Sequence, residues 1–396
     1  MQVLDRRKAL SIHPLWRLGF RPLFLGASLF ACLAVPLWLA AFSGWLGNWE
    51  PAGGWLVWHR HELLFGFGLA VIAGFLLSAV QTWTGRPGLQ GRPLLLLGGV
   101  WLLARLAWLS DLAPPLLSVL ELAFPLALAA VMARTLWLVR QKRNYPVVAL
   151  LLLLTAVDGL SLVGLANADQ ELQRQAVLAG VWLVAAMMGL IGGRVIPFFT
   201  QRGLGRVNAV QPWPWLDWLL LLGSAAVALL YAAGIALQAG AVVGILFALL
   251  ALGHGLRLGR WYDAGIWRVP LLWSLHLAYA WLAIACLGMA LWHFGLLSSP
   301  SQPLHALTVG AMGGLILAMI ARVSLGHTGR TLTPPAGMNL AFILLNLGAL
   351  SRVGLIEIWP LWGLWLAAVC WALAFALFAW RYGPMLCGAR VDGHPG

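Results

Sequence analysis

Long apolar runs separated by short polar turns occupy nearly the whole chain. A helix needs about 20 mostly apolar residues to cross a bilayer. Twelve segments meet or approach that length: 20–42, 59–82, 93–109, 113–139, 146–167, 174–199, 213–236, 239–257, 268–293, 303–325, 336–355 and 360–381. Their apolar positions do not alternate with polar ones, as half-wet strands would require. The connections hold Pro, Gly and Arg and are too short for a soluble domain. The pattern predicts an all-α membrane protein with twelve transmembrane helices, a single polytopic domain over residues 1–396.

Composition agrees. Hydrophobic residues make up 62% of the 396 positions and charged residues 9%, against about half and about a quarter in soluble domains. A soluble enzyme and a disordered chain are both excluded. The 25 Lys+Arg against 12 Asp+Glu give a net charge of +13, which in a soluble protein would suggest nucleic acid. Here the basic residues cluster in the turns, as the positive-inside rule expects, so no nucleic-acid partner is expected. With the N-terminus inside, 21 of the 25 fall on the inner side, Arg6, Arg7, Lys8, Arg86 and Arg330 among them, and only Arg60, Arg105, Arg174 and Arg352 fall toward the outer half. Both termini are therefore expected in the cytoplasm, with the first helix retained rather than cleaved as a signal. Four cysteines without a C-x-x-C spacing make no case for a zinc ribbon, an iron–sulfur cluster or c-type haem.

Internal repeats organise the helices. Helices 1, 5 and 9 open at Pro22, Pro146 and Pro270, each 124 apart; helices 3, 7 and 11 open near Pro93, Pro214 and Pro335, each 121 apart. Three pseudo-symmetric four-helix units follow, at about 13–140, 141–260 and 261–390. Residues 61–86 align without a gap on 305–330 with 7 of 26 identities, including His61/His305, Gly66/Gly310 and the closing Thr-Gly-Arg.

Ionisable residues inside a membrane are costly and mark candidate sites. His61 and His305 sit at matched register near the outer face, where two imidazoles could hold a b-type haem. His59 lies two residues from His61; unless it is still in the loop it faces another way and is free for copper. Glu62 orients a ligand, relays protons or caps the helix. Arg60 and Arg352 suit haem propionates or snorkel at the interface. Arg105, Glu121 and Asp158 come out about 12 Å below the outer surface, as a buried ion pair with a bonded aspartate or as a proton path. His276, among Trp273, Tyr279 and Trp281, is a candidate ligand of a second haem, and His254 lies at similar depth. His13 and His327, near the inner face, have no assigned role.

The motifs His13-Pro14-x-Trp16-Arg17-x-Gly19-Phe20-Arg21-Pro22, Trp58-His59-x-His61-Glu62, Trp83-Thr84-Gly85-Arg86-Pro87, Gly193-Arg194-Val195-Ile196-Pro197 and His305-Ala306-Leu307-Thr308, with Arg322-Val323-Ser324-Leu325-Gly326-His327-Thr328-Gly329-Arg330, resemble the NnrS family across nearly the whole chain. The resemblance implies a bacterial inner-membrane protein containing haem (one or two b-type groups) and copper, linked to nitric oxide metabolism and nitrosative stress. A more distant likeness is to the catalytic subunit of haem-copper oxidases and nitric oxide reductases, whose low-spin haem is held by histidines on the second and tenth helices. That likeness stops at helices 6 and 7, which carry no histidine here.

The leading expectation is an oxidoreductase that reduces nitric oxide to nitrous oxide, with Glu62 and His276 as catalytic residues and a quinol or periplasmic redox protein as electron donor. The alternatives are a non-catalytic protein that binds or senses nitric oxide, and a transporter.

Overall fold

The computed structural model describes residues 10–110, 112–208 and 210–395; Arg6, Arg7 and Lys8 of the orientation argument lie outside them. The described residues are helical throughout, without strands. The helices are α1 Phe20–Phe42, α2 Trp55–Thr84, α3 Arg92–Trp108, α4 Pro114–Leu138, α5 Tyr145–Ala166, α6 Gln170–Gly203, α7 Pro214–Ala232, α8 Ala241–Trp261, α9 Pro270–His293, α10 Ser301–His327, α11 Met338–Val353 and α12 Pro360–Cys387. Among the described residues, eleven helices are long and apolar enough to cross a membrane. The remaining expected segment is α3, a helix of 17 residues. This is a multi-pass membrane protein.

Proline opens α3, α4, α5, α7 and α9 within their first two positions, where its missing N–H costs nothing. Pro335 does not open α11, which starts at Met338 behind Gly337 at φ 92°. Several helices outrun their apolar stretches. The most consequential is α2, which starts at Trp55 behind Gly53 and Gly54 at φ 73° and 85°, four residues before the expected start at 59.

The chain forms two compact units. The first holds α1 to α5, the start of α6 and the stretches 320–335 and 375–396; the second holds residues 178–319 and 336–374. Within the first, α2 packs on α1 and α4, and α4 packs on α3 and α5. Burial is inverted relative to a soluble protein: α3 exposes Leu95, Leu96, Leu102, Leu103 and Leu106 and buries Arg105 between Trp101 and Trp108. Leucines facing outward and charge facing inward are what lipid contact requires. Within the second unit, α8 pairs with α9, and α10 packs on α9 and α11. In the connections of this unit Arg206 bonds Asp263 at 2.8 and 3.0 Å and holds its carboxyl below the usual range.

The aligned stretches of α2 and α10 share local structure. A π-helical segment follows each histidine, Glu62–Gly68 after His61 and Ala306–Gly313 after His305. Thr84 and Thr328 each bond the carbonyl four residues back, at 2.6 and 2.7 Å. Gly85 and Gly329 follow with φ 68° and 76°. π-segments inside α-helices occur frequently at functional sites.

Candidate functional site

In the first unit, five ionisable side chains from four helices meet in an apolar interior: His61 and Glu62 of α2, Arg105 of α3, Glu121 of α4 and Asp158 of α5. None is more than 4% exposed. His61 Nε2 bonds Asp158 Oδ1 at 2.9 Å, and its Nδ1 bonds Glu62 Oε1 at 3.2 Å. Arg105 pairs with Glu121 and lies 3.2 Å from Glu62 Oε2. Trp108 Nε1 donates to Glu121 Oε2 at 3.1 Å, and its ring lies 4.3 Å from that of His61. One ligand atom each from His61, Glu121 and Asp158 falls within 4.8 Å of the others; among the described residues this is the one such group of three or more His, Cys, Asp or Glu.

The π-segment shapes this place. Gly66 lies within it, and a Cβ there would collide with Arg105 Nη1 and sit 3.2 Å from Glu62 Oε2. Its carbonyl accepts Trp101 Nε1–H at 2.8 Å. Glycine therefore lets a guanidinium lie against the helix backbone. Gly66→Ala is expected to cost about 1–3 kcal/mol by overpacking, read as a lower melting temperature in detergent. Gly255→Ala, inside α8 where nothing lies within 4 Å, should not lower the melting temperature and should raise it slightly, alanine being the better helix former.

A cavity of about 420 Å³ lies at the end of the unit near the start of α2, lined by Val57, Ser110, Gly164 and Gln173 among others. Val57 is one turn before His61. Trp58, Trp108 and Leu162 pack with Val57 in one apolar cluster. Both amide atoms of Gln173 are buried without a hydrogen-bond partner.

The sequence placed His61 and Glu62 at the outer face, separate from the layer of Arg105, Glu121 and Asp158. The structure joins the two groups. Because α2 starts at Trp55, His61 lies six residues, about 9 Å, inside the helix. Glu62 turns into the cluster and bonds His61 rather than capping a helix start. The pairing of Arg105 with Glu121, with Asp158 bonded nearby, stands as expected. His59 is helical, so it diverges from His61 and stacks on Trp38 at 4.3 Å; it belongs to no group of potential metal ligands among the described residues. Arg60 is half-buried, with Glu171 and Arg174 as its charged neighbours.

The second unit holds the other expected residues. His305 Nδ1 bonds the Ser301 carbonyl at 2.7 Å, and Arg352 Nη2 reaches Ser301 Oγ at 3.3 Å, so these two converge. His276 is 4% exposed. Its Nδ1–H donates to the Leu272 carbonyl at 3.0 Å. Its Nε2 makes no aligned hydrogen bond, although the Trp261 carbonyl is within electrostatic reach. His254 bonds Tyr279 Oη at 2.8 Å, and Arg257 donates to the same oxygen at 2.9 Å and to the Gly189 carbonyl at 2.8 Å, while pairing with Asp217. The sequence reading did not single out Arg257, Asp217 or Trp108. Their signal was helical spacing: Arg257 is three residues after His254, and Trp108 three after Arg105.

The chain matches the NnrS protein family over residues 14–390. It belongs to the NnrS family. Membership points to a role in nitric oxide metabolism or response. A comparison with curated proteins finds no match.

Proposed function

We propose that this NnrS protein binds nitric oxide inside the membrane and reduces it to nitrous oxide, in denitrification or in defence against nitrosative stress. The reaction joins two nitric oxide molecules with two electrons and two protons and releases nitrous oxide and water. The gas is small and uncharged and reaches a buried site through lipid. Protons cannot, so the protein has to hold and pass them.

The observation that carries this reading is the buried cluster around His61. Three carboxylates, an imidazole and a guanidinium in an apolar bundle are expensive and mark function. Arg105 stays protonated, so the remaining groups share protons among the three carboxylates and His61. Asp158 Oδ2 is buried without a hydrogen-bond partner and Glu62 Oε2 has no aligned one, only the Arg105 guanidinium at 3.2 Å; Asp158 Oδ2 is the position from which a proton can be passed on. Glu62 is the proton donor in this reading. In this reading the cavity lined by Val57 and Gln173 is the source of water for it.

The family resemblance implies haem and copper. His276 fits an axial haem ligand: its Nδ1–H is held by a backbone carbonyl, which fixes the tautomer and leaves the buried Nε2 lone pair without an aligned partner. Haem bound there supplies one-electron chemistry and an open position for nitric oxide. His61 has to release Asp158 or Glu62 before it can ligate a haem; His305 is a separate candidate, with Arg352 beside it for a propionate. Copper in this reading sits near His59, which joins no group of three potential ligands among the described residues. The electron donor in this reading is a quinol or a periplasmic redox protein. The location is the bacterial inner membrane, with α3 as the twelfth span, three four-helix repeats and both termini cytoplasmic.

Purified protein, chemically reduced without oxygen, is expected to form nitrous oxide from nitric oxide above the rate of free haem, measured by gas chromatography. Nitric oxide bound without nitrous oxide formed would reduce the role to binding or sensing.

A further inference from the structure

The carboxylates around His61 carry more charge than Arg105 offsets. With Glu62, Glu121 and Asp158 ionised and the imidazole neutral, three negative charges meet one positive, leaving two negative charges among side chains at most 4% exposed. Such an excess is strongly unfavourable in a low-dielectric interior. Two protons or one doubly charged cation restore neutrality.

We propose that His61, Glu121 and Asp158 form a non-haem site for a hard divalent metal ion of the iron(II) or manganese(II) class. The three ligand atoms already lie within 4.8 Å of one another. Asp158 Oδ2 is buried with no hydrogen-bond partner, so it has an unused lone pair at the site. Glu62 Oε1 engages His61 Nδ1 at 3.2 Å, while Nε2 faces Asp158 Oδ1 at 2.9 Å, a hydrogen bond the ion replaces by taking both atoms as ligands; metal-bound histidines almost always have a partner such as Glu62 on the other nitrogen. Trp108 and Arg105 hold Glu121 from behind. One imidazole and two carboxylates with no sulfur select a hard ion over copper(I).

Binding is charge-neutral. The ion displaces one proton from His61 and one shared by the carboxylates, so two protons leave per ion. Three protein ligands leave coordination positions vacant for a small molecule; that nitric oxide takes one rests on the function proposed above, whereas the site itself does not. His61 Nε2 cannot serve this ion and a haem iron together, so the site competes with any haem ligation by His61.

The test uses the detergent-solubilised full chain, stripped with chelator, and manganese(II) as the probe. Loss of the free manganese(II) electron paramagnetic resonance signal measures uptake, and calorimetry in buffers of different ionisation enthalpy measures proton release. Wild type should take up one ion per chain with two protons released. Asp158→Asn and Glu121→Gln should lose affinity by about 100-fold or more, and Trp108→Phe, which keeps a ring against His61 but loses the hydrogen bond to Glu121, by about 10-fold. The proposal is overturned if wild type binds neither manganese(II) nor iron(II), or if Asp158→Asn protein of unchanged helicity binds as well as wild type. No nitric oxide enters this experiment, so its outcome is separate from that of the nitrous oxide assay.

Discussion

Arg105→Met is expected to destabilise the protein by about 3–5 kcal/mol, the usual cost of stripping one partner from a buried ion pair. The effect comes from what stays behind. Glu121 loses its guanidinium, Glu62 loses a cation 3.2 Å away, and three carboxylates face His61 alone. Against a total stability of about 5–15 kcal/mol, the single variant should yield little folded protein. Adding Glu121→Gln removes the stranded charge, keeps a group able to accept from Trp108, and should restore most of the loss. A double-mutant cycle on thermal unfolding in detergent measures this, with a coupling of about 2 kcal/mol or more expected between the two sites. Strict additivity would show that Arg105 and Glu121 do not depend on each other, and the cluster would lose its role as a single unit.

This dependence explains which parts of the molecule were legible in the sequence. Helices could be located because a membrane span must be apolar over its whole length, and such runs stand out. The layer of Arg105, Glu121 and Asp158 could be placed by counting rise from helix ends, because α3, α4 and α5 begin and end close to their apolar limits. His61 and Glu62 were misplaced because the same count started from residue 59, whereas Trp55 to Trp58 are amphipathic enough to extend the helix outward. The π-segment was invisible: nothing in Glu62–Gly68 distinguishes it from an α-helical glycine-rich stretch until Arg105 is seen lying on Gly66. The Arg257–Tyr279–His254 arrangement joins two helices, and its pairing is set by packing rather than by spacing along the chain. His59 was resolved by helix geometry alone, since two residues apart on a helix cannot share a face.

His276→Ala is expected to abolish the optical change produced by nitric oxide, while His254→Ala leaves it in place. The two histidines lie at similar depth on adjacent helices, and their hydrogen bonds separate them. Tyr279 Oη accepts from Arg257, which can only donate. The arrangement that leaves the fewest polar atoms unmatched then has the tyrosine hydroxyl donating to His254 Nδ1. That puts the proton of His254 on Nε2 and leaves no lone pair for a metal. His276 has the opposite pattern. Its Nδ1–H is committed to Leu272 at 3.0 Å, so the lone pair is on Nε2, buried and without an aligned partner. Only this second tautomer ligates iron without first moving a proton. Reduced protein should therefore show its nitric oxide difference spectrum in wild type and in His254→Ala, and lose it in His276→Ala. Tyr279→Phe provides the cross-check: freed of the tyrosine hydroxyl, His254 can change tautomer, but the spectrum should persist because His276 is untouched. A full nitric oxide response in His276→Ala protein would move the haem away from this histidine and return His305, beside Arg352, as the strongest ligand in the second unit.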